Sequence, residues 1–428
     1  MMLNKYLFKF SLYAALVLTT NLQANDQVKY ADFISALENL SDQELREIIV
    51  KEANEYLHRF PKAPNLHEMH FKIATIFHDE QDNLKSFYTN MEIIYLYPGT
   101  NVVTLSQDRV RSLLVQDKKF RDIAEKVDAI LHPATSDSTR EAAYFLFLRD
   151  MYDLGFKPVN ELLIKGCDQF LNNFTKSAKA DVVLFWQAEL LASERKYYEA
   201  LSDYLKLTYL YDKSLYVTSS QLKIAEIFTE KLNNHDKAIL TYEEFLVEYP
   251  DDPQAAQAQF KIAQITEKER KKYLEAINAY TGVAKRYPKS IEAVPALFEA
   301  ARLYEDKFKE YDQAIRIYTE VVRDFPNDLK APYAFAEAAR IYEKKLKDYF
   351  NAANVYFKVY GHYPESSIAA QSLFAAAEIN EKQLKDNEKA ITYYRFVIDK
   401  YPDNKLAGEA SKRIDKLSKA MVEPEQPE

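Results

Sequence analysis

The residues in this chain that could do chemistry are few, and their spacing gathers only one cluster. His67, His70 and His78 fall within NLHEMHFKIATIFHDE. On a helix His67 and His78 share a stripe with His70 beside it, a spacing that could hold a zinc or copper ion. Asp79 and Glu80 follow, but adjacent carboxylates are common on charged helix surfaces. The expectation is therefore scattered surface histidines and no metal. The one cysteine, Cys167, excludes an internal disulfide. No P-loop, dinucleotide fingerprint, serine-nucleophile elbow or zinc-protease helix motif occurs. Neither a catalytic residue nor a cofactor is expected, and the chain reads as non-enzymatic.

Composition limits the remaining classes. Six glycines in 428 residues are too few for a fold rich in tight turns or phosphate loops, which need positive φ. Abundant Ala, Leu, Glu and Lys favour helices, and 32 Tyr with 25 Phe supply aromatic anchors. The formal net charge is −8. Residues 1–24 contain Lys5 and Lys9 and no acid, so without them the charge is −8 − 2 = −10. An acidic chain without a basic stripe argues against nucleic acid as a partner. Residues 1–24 read as a secretory signal: Lys5 and Lys9, an apolar run from Ser11 to Leu18, and Leu22-Gln23-Ala24 before a cleavage point at Asn25. The apolar run is too short to span a bilayer, so no direct membrane insertion is expected once the signal is removed. No cysteine follows the run to carry a lipid.

The elements that would position any site are set by a ruler. Tyr249-Pro250, Tyr287-Pro288, Phe325-Pro326, Tyr363-Pro364 and Tyr401-Pro402 recur every 38 residues. Such a period implies a stacked repeat. Within residues 289–326, apolar residues recur at helical spacing in two stretches: Phe298, Ala301, Tyr304 and Phe308, then Ala314, Ile315, Tyr318, Val322 and Phe325. A turn is expected near Lys309-Glu310, with Ser290 as N-cap and Pro295 tolerated in the first turn. Small residues hold two columns, Ala225, Ala263, Ala301, Ala339 and Ala377 in the first helix and Ala238, Ala276, Ala314, Ala352 and Ala390 in the second. They let helix backbones approach closely. Tyr242, Tyr280, Tyr318, Tyr356 and Tyr394 follow one turn after the second column.

This pattern resembles the tetratricopeptide repeat, with Ala301, Tyr304, Ala314, Tyr318 and Pro326 at the family's small, aromatic, small, aromatic and proline places. One extra residue between the alanines and three after the proline lengthen the unit to 38. The resemblance implies an all-α solenoid, a superhelix of antiparallel helix pairs. Earlier unit ends are read at Phe60-Pro61, Tyr97-Pro98, His132-Pro133, Phe174-Thr175 and Tyr211-Asp212. Cys167 takes the tyrosine place of its unit and is expected to be a buried, unreactive small hydrophobe. Ser86 and Asn90 replace the alanine and tyrosine of another. The chain thus divides into a signal at 1–24, degenerate helical repeats at 25–175, regular repeats at 176–402, a capping helix at 403–418 and a disordered acidic tail at 419–428.

The resemblance further implies protein partners along a concave face lined by first helices. Family groove places fall on Glu226, Gln264, Arg302, Arg340 and Glu378, and beside them on Thr229, Glu267, Glu305, Glu343 and Glu381, with Phe298 and Tyr333 as apolar contacts. An arginine fork suits carboxylates or carbonyls. The favoured alternative is that Arg302 and Arg340 pair with Glu305 and Glu343 at i,i+3 as a solvated lattice. Residues from Tyr401 to Leu417 are similar to two bacterial envelope groups, the Tol-Pal-associated cell-division coordinator and the helical lipoprotein of the outer-membrane β-barrel assembly machine. The resulting expectation is a periplasmic scaffold or adaptor of the cell envelope, reaching the outer membrane through its partners. The alternative is a helical accessory subunit of a peptidoglycan-processing enzyme; with 428 − 402 = 26 residues after Pro402, no catalytic domain is expected to follow.

Overall fold

The computed structural model describes residues 24–40, 42–133 and 139–422. Residues 1–23 of the stretch read as a signal (1–24) and residues 423–428 of the stretch read as a tail (419–428) lie outside the described residues. The described residues hold helices and no strand, and successive helices pack against each other as an all-α, tetratricopeptide-like solenoid. The chain forms two compact units, residues 1–220 and 221–428.

In the second unit the helix pairs are regular. Their first helices include Ala255–Lys268, Ala293–Leu303, Ala331–Ile341 and Ala369–Ile379, and their second helices include His235–Glu248, Tyr273–Arg286, Tyr311–Asp324, Tyr349–His362 and Asn387–Lys400. Both alanine columns are fully buried from Ala225 to Ala390. With no exposed surface at these positions, a larger side chain would have to push its neighbours aside. Of the tyrosines one turn on, Tyr242, Tyr280, Tyr318 and Tyr394 are in the core, Tyr318 being 4 % exposed, and Tyr356 is partly buried against it. Helix Lys405–Val422 packs on the last pair through Ala410, Ile414 and Leu417. It runs past residue 418 into the stretch read as tail.

The extra residues have definite places. In the first unit the turn between helices closes with Asp82 N–H on the Phe77 carbonyl and Lys196 N–H on that of Leu191, five residues back. In the second unit the same closure reaches six back: Lys272 to Thr266, Glu310 to Tyr304, Asp348 to Tyr342 and Asp386 to Asn380. The added residue widens the end of the first helix into a π-turn, at Tyr304–Phe308, Tyr342–Leu346 and Asn380–Leu384. Each π-turn is stopped by a lysine in the left-handed region, Lys309, Lys347 and Lys385, with φ of 58°, 57° and 58°. After the second helix, the other added residues form two successive turns, such as Asp328 N–H to Phe325 and Ala331 N–H to Asp328. Ser290 lies in the equivalent turn and does not cap the next helix, whose N-cap is Glu292 without a side-chain bond.

The aromatic unit ends share one geometry. Phe60, Tyr97, Phe174, Tyr211, Tyr249, Tyr287, Phe325, Tyr363 and Tyr401 all cap a helix, each N–H reaching the carbonyl four residues back. Proline is not needed, since Phe174 and Tyr211 lack it. His132 breaks the series: it follows a 3-10 segment, Lys118–Ile123, and a short helix, Ala124–Ile130, capped by Leu131. This insertion makes the first unit irregular. Helix Asn83–Leu96 packs against Leu66–Asp79, Asn101–Gln116, Arg140–Leu154 and the turn Lys157–Val159. It is buried along most of its length, including Ser86 and Asn90, whose amide donates to the Ser86 carbonyl at 2.7 Å.

Candidate functional site

The family's groove places resolve into a ladder and a cleft. Glu267, Glu305, Glu343 and Glu381 sit at the ends of successive first helices. They do not face outward for a ligand. The tyrosine thirteen residues on, in the second helix of the same pair, donates to them: Tyr280 to Glu267 at 2.8 Å, Tyr356 to Glu343 at 3.4 Å and Tyr394 to Glu381 at 2.7 Å. The arginine of the next pair then takes the carboxylate from the other side. Arg302 bonds Glu267, Arg340 grips Glu305 with both terminal nitrogens at 3.0 and 2.5 Å, and Arg413 of the last helix reaches Glu381 at 3.2 Å. The i,i+3 pairing expected of Arg302 and Arg340 exists, but with Glu299 at 2.7 Å and Glu337 at 2.6 Å, not with Glu305 and Glu343.

These contacts leave no ambiguity about charge. Burial opposes ionisation of Arg302, yet the hydrogen bonds it donates to Glu299 and Glu267 outweigh it and raise its pKa. The Glu305 bond and the Glu337 pair do the same for Arg340. Burial alone would push the Glu305 carboxyl up, but Arg340 and Lys345 together hold it below its ordinary value of 4.5. Each arginine therefore ties adjacent pairs together, and little of its hydrogen-bonding capacity is spare for a ligand.

The cleft opens where the ladder changes. Because Arg340 occupies both Glu305 oxygens, and Lys345 Nζ stands 3.4 Å from one of them, Tyr318 makes no hydrogen bond to that carboxylate. Tyr318 is among the residues lining a cleft of about 700 Å³ between helices Ala293–Leu303 and Ala331–Ile341. Phe298 and Tyr333 form aromatic walls, Lys330 Nζ lies 5.8 Å from the centre of the Phe298 ring, and Glu299, Asp306 and Glu337 supply acid at the rim. The Tyr333 hydroxyl is 2.9 Å from that of Ser367, which fixes its ring at the cleft mouth while leaving it 41 % exposed.

Of the residues expected in the groove, Phe298, Arg302, Glu305, Tyr333 and Arg340 come together here. Gln264, Glu343 and Glu378 do not line this cleft. Glu378 pairs with Lys382 and, at 3.4 Å, with Arg413; it stands where the arginine column would continue. Tyr318, Lys330, Glu299 and Glu337 were not singled out for the site. The Glu-x-x-Arg spacing of Glu299/Arg302 and Glu337/Arg340 was the available signal.

The other residues with reactive side chains have structural roles. Cys167 is buried and burial pushes its thiol well above the ordinary range. His70 is not a surface histidine: it is 6 % exposed, with Nε2 3.2 Å from Glu92 and Nδ1 3.3 Å from the Tyr97 hydroxyl. Among the described residues no group of three or more His, Cys, Asp or Glu could hold a metal ion, and no described helix is long and apolar enough to cross a membrane.

Residues 219–252, 257–290, 295–328 and 371–404 match the tetratricopeptide repeat family. Those four segments are similar to tetratricopeptide repeats. No curated protein matches the chain. Among solved structures, a tetratricopeptide repeat protein from Parabacteroides merdae ATCC 43184 is 17% identical, covering 63% of this chain and 98% of its own, with a TM-score of 0.34. YrrB, described as a TPR protein with an unusual peptide-binding site, is 19% identical over 45% of this chain and 91% of its own, at 0.28. Yeast Tom70 is 13% identical over 92% and 96%, at 0.30.

Proposed function

We propose that this protein is a non-enzymatic scaffold of the bacterial cell envelope that binds an extended segment of a protein partner in the cleft between Phe298 and Tyr333. Tetratricopeptide repeats generally mediate protein–protein interaction. The observation that carries the reading is Tyr318, which lines the cleft and, unlike Tyr280, Tyr356 and Tyr394, donates no hydrogen bond to the glutamate of its pair. A backbone carbonyl of a bound strand would complete it, an apolar side chain would lie between the two rings, and a basic one would meet Asp306 or Glu337. The concave face lined by first helices is the surface along which the rest of the partner runs. Lys5, Lys9 and the apolar run before Ala24 support export, and the likeness of the Tyr401–Leu417 stretch to envelope repeats supports a periplasmic role in outer-membrane assembly, Tol-Pal or division machinery.

Affinity capture from envelope extract, with wild type beside a Tyr333→Ala, Lys330→Ala variant, tests the reading. A protein retained by wild type and lost by a variant of unchanged thermal stability is expected. Identical capture by both would remove the cleft from the account. N-terminal sequencing of the protein from the periplasmic fraction should begin at Asn25; recovery in the cytoplasm with Met1 intact would remove the export proposal alone.

A further inference from the structure

Helix Tyr197–Leu210 of the first unit packs on helix Ala180–Ser193 and buries Ala200, Leu201, Tyr204 and Leu207. The opposite face of a second helix is polar in most of these repeats. One repeat earlier, in helix Asn160–Asn173, that face presents Glu161, Lys165, Asp168 and Asn172, all exposed. In helix Tyr311–Asp324 the same four places hold Asp312, Arg316, Thr319 and Arg323. Helix Tyr197–Leu210 departs from this rule. Its four places are Tyr198, Ser202, Leu205 and Tyr209, and the three large side chains are 73 %, 43 % and 80 % exposed. Helix His235–Glu248 comes nearest with Leu240 and Val247, but it alternates them with Asp236 and Glu243. Where helix Tyr349–His362 has Phe357, that ring is stacked on Tyr393 at 4.6 Å.

The spacing of the exposed row selects its occupant. From Tyr198 to Tyr209 the steps are four, three and four residues, which is the seam of a coiled coil. The seam also complements itself. When two such helices meet antiparallel about a two-fold axis, Tyr198 of one copy lies against Tyr209 of the other. Leu205 then lies against Ser202, a large side chain against a small one, and every contact occurs twice. Glu199 and Lys206, both exposed, flank one edge of the seam seven residues apart. The antiparallel arrangement sets Glu199 of each copy beside Lys206 of the other, whereas a parallel one leaves these edges on opposite sides of the pair. Lys206 bonds Asp203 of its own helix at 2.7 Å with half of its side chain exposed, and its ammonium keeps hydrogens for a second carboxylate. Two tyrosines of roughly 150 Å² each, one leucine and the stems of the flanking charges remove about 1,000 Å² from water over two copies. That is enough for a weak specific pair.

We infer that two copies of this chain pair antiparallel through helix Tyr197–Leu210, across the seam of Tyr198, Ser202, Leu205 and Tyr209. Sedimentation of the full chain from about 1 to 100 µM tests it, and a monomer–dimer equilibrium within that range is expected. Leu205→Glu places a carboxylate on an exposed seam position of each copy, so the fold should stand, which thermal unfolding verifies. Dimerisation should weaken by about tenfold or more. The orientation is read from disulfide trapping at the top of the range. A mixture of Tyr198→Cys and Tyr209→Cys chains should form a cross-linked dimer under mild oxidation. Either variant alone should not, because like positions lie roughly 16 Å apart along an antiparallel pair, and the native Cys167 is buried. A monomer throughout the range would leave the seam to some other protein and overturns the inference. So does a dimer that Leu205→Glu leaves unchanged, or trapping by Tyr198→Cys alone that matches the mixture. A photoreactive probe at Tyr198 should capture a second copy, giving a product of twice the chain's mass; capture of a different protein there counts against the pairing.

Discussion

Glu305, at the end of one first helix, is held by both terminal nitrogens of Arg340 from the next, at 3.0 and 2.5 Å. The pair joins consecutive repeats, and it is why the groove arginines stabilise the repeat stack instead of reading a ligand. Arg340→Met should leave the Glu305 carboxylate, 7 % exposed, with Lys345 alone. A buried charge robbed of its partner costs about 3–5 kcal/mol; with a third of the Arg340 side chain exposed, about 2 kcal/mol is expected. Urea unfolding measures it, and a loss under about 0.5 kcal/mol would mean the pair is a solvated contact.

Tyr280 and Tyr318 occupy the same column and should respond differently to losing a hydroxyl. Tyr280→Phe deletes the bond to Glu267 and should cost about 1–2 kcal/mol. Tyr318→Phe deletes no bond within the protein and should leave stability almost unchanged while weakening partner binding. Tyr318→Ala, which empties the core of a ring only 4 % exposed, should cost about 3–5 kcal/mol. Equal losses for the two Phe variants would show that both hydroxyls are satisfied alike.

Lys309 has φ of 58° at the end of a π-turn. A side chain in that region is strained, and glycine is the residue that relieves it. Lys309→Gly should stabilise by about 0.5–1 kcal/mol, the relief exceeding glycine's greater freedom when unfolded. Lys309→Val should destabilise. Thermal unfolding of the two variants beside wild type should place them on opposite sides of it.

Acid should loosen the ladder in a definite direction. The Glu305 carboxyl is held below its ordinary 4.5, so its contribution to stability is fully present above 4.5 and is lost as pH falls through the folded-state value. Thermal midpoints of wild type should fall between about pH 5 and pH 3. The fall should be shallower in Glu305→Gln, which has no such proton to take up. Parallel curves would mean that Glu305 is not a linked group.

The alanine and tyrosine columns were readable from sequence because they repeat at one period and bury on one face. The aromatic unit ends were readable for the same reason, and Phe174 and Tyr211 show that the ring, not the proline, marks the helix end. The ladder was less visible. Tyr280 meets Glu267 across a turn, and Arg302 meets Glu267 from the next repeat, so neither pairing follows from helical spacing within one unit. His70 reads as a surface residue because its partners, Glu92 and Tyr97, come from the next helix and its end, which spacing within its own helix does not reveal. Ser290 had the composition of a cap, but the two successive turns after each second helix move the helix start past it.

The central claim is that the cleft between Phe298 and Tyr333 receives a protein partner, and cross-linking in cells addresses it most directly. A photoreactive benzoylphenylalanine placed at Tyr333, 41 % exposed at the cleft mouth, is compared with the same probe at Tyr198, 73 % exposed in the other unit. The account predicts a discrete protein adduct at Tyr333 that is absent at Tyr198 and reduced by Tyr318→Phe in the same chain. No adduct at Tyr333, or the same adduct at both positions, would contradict it.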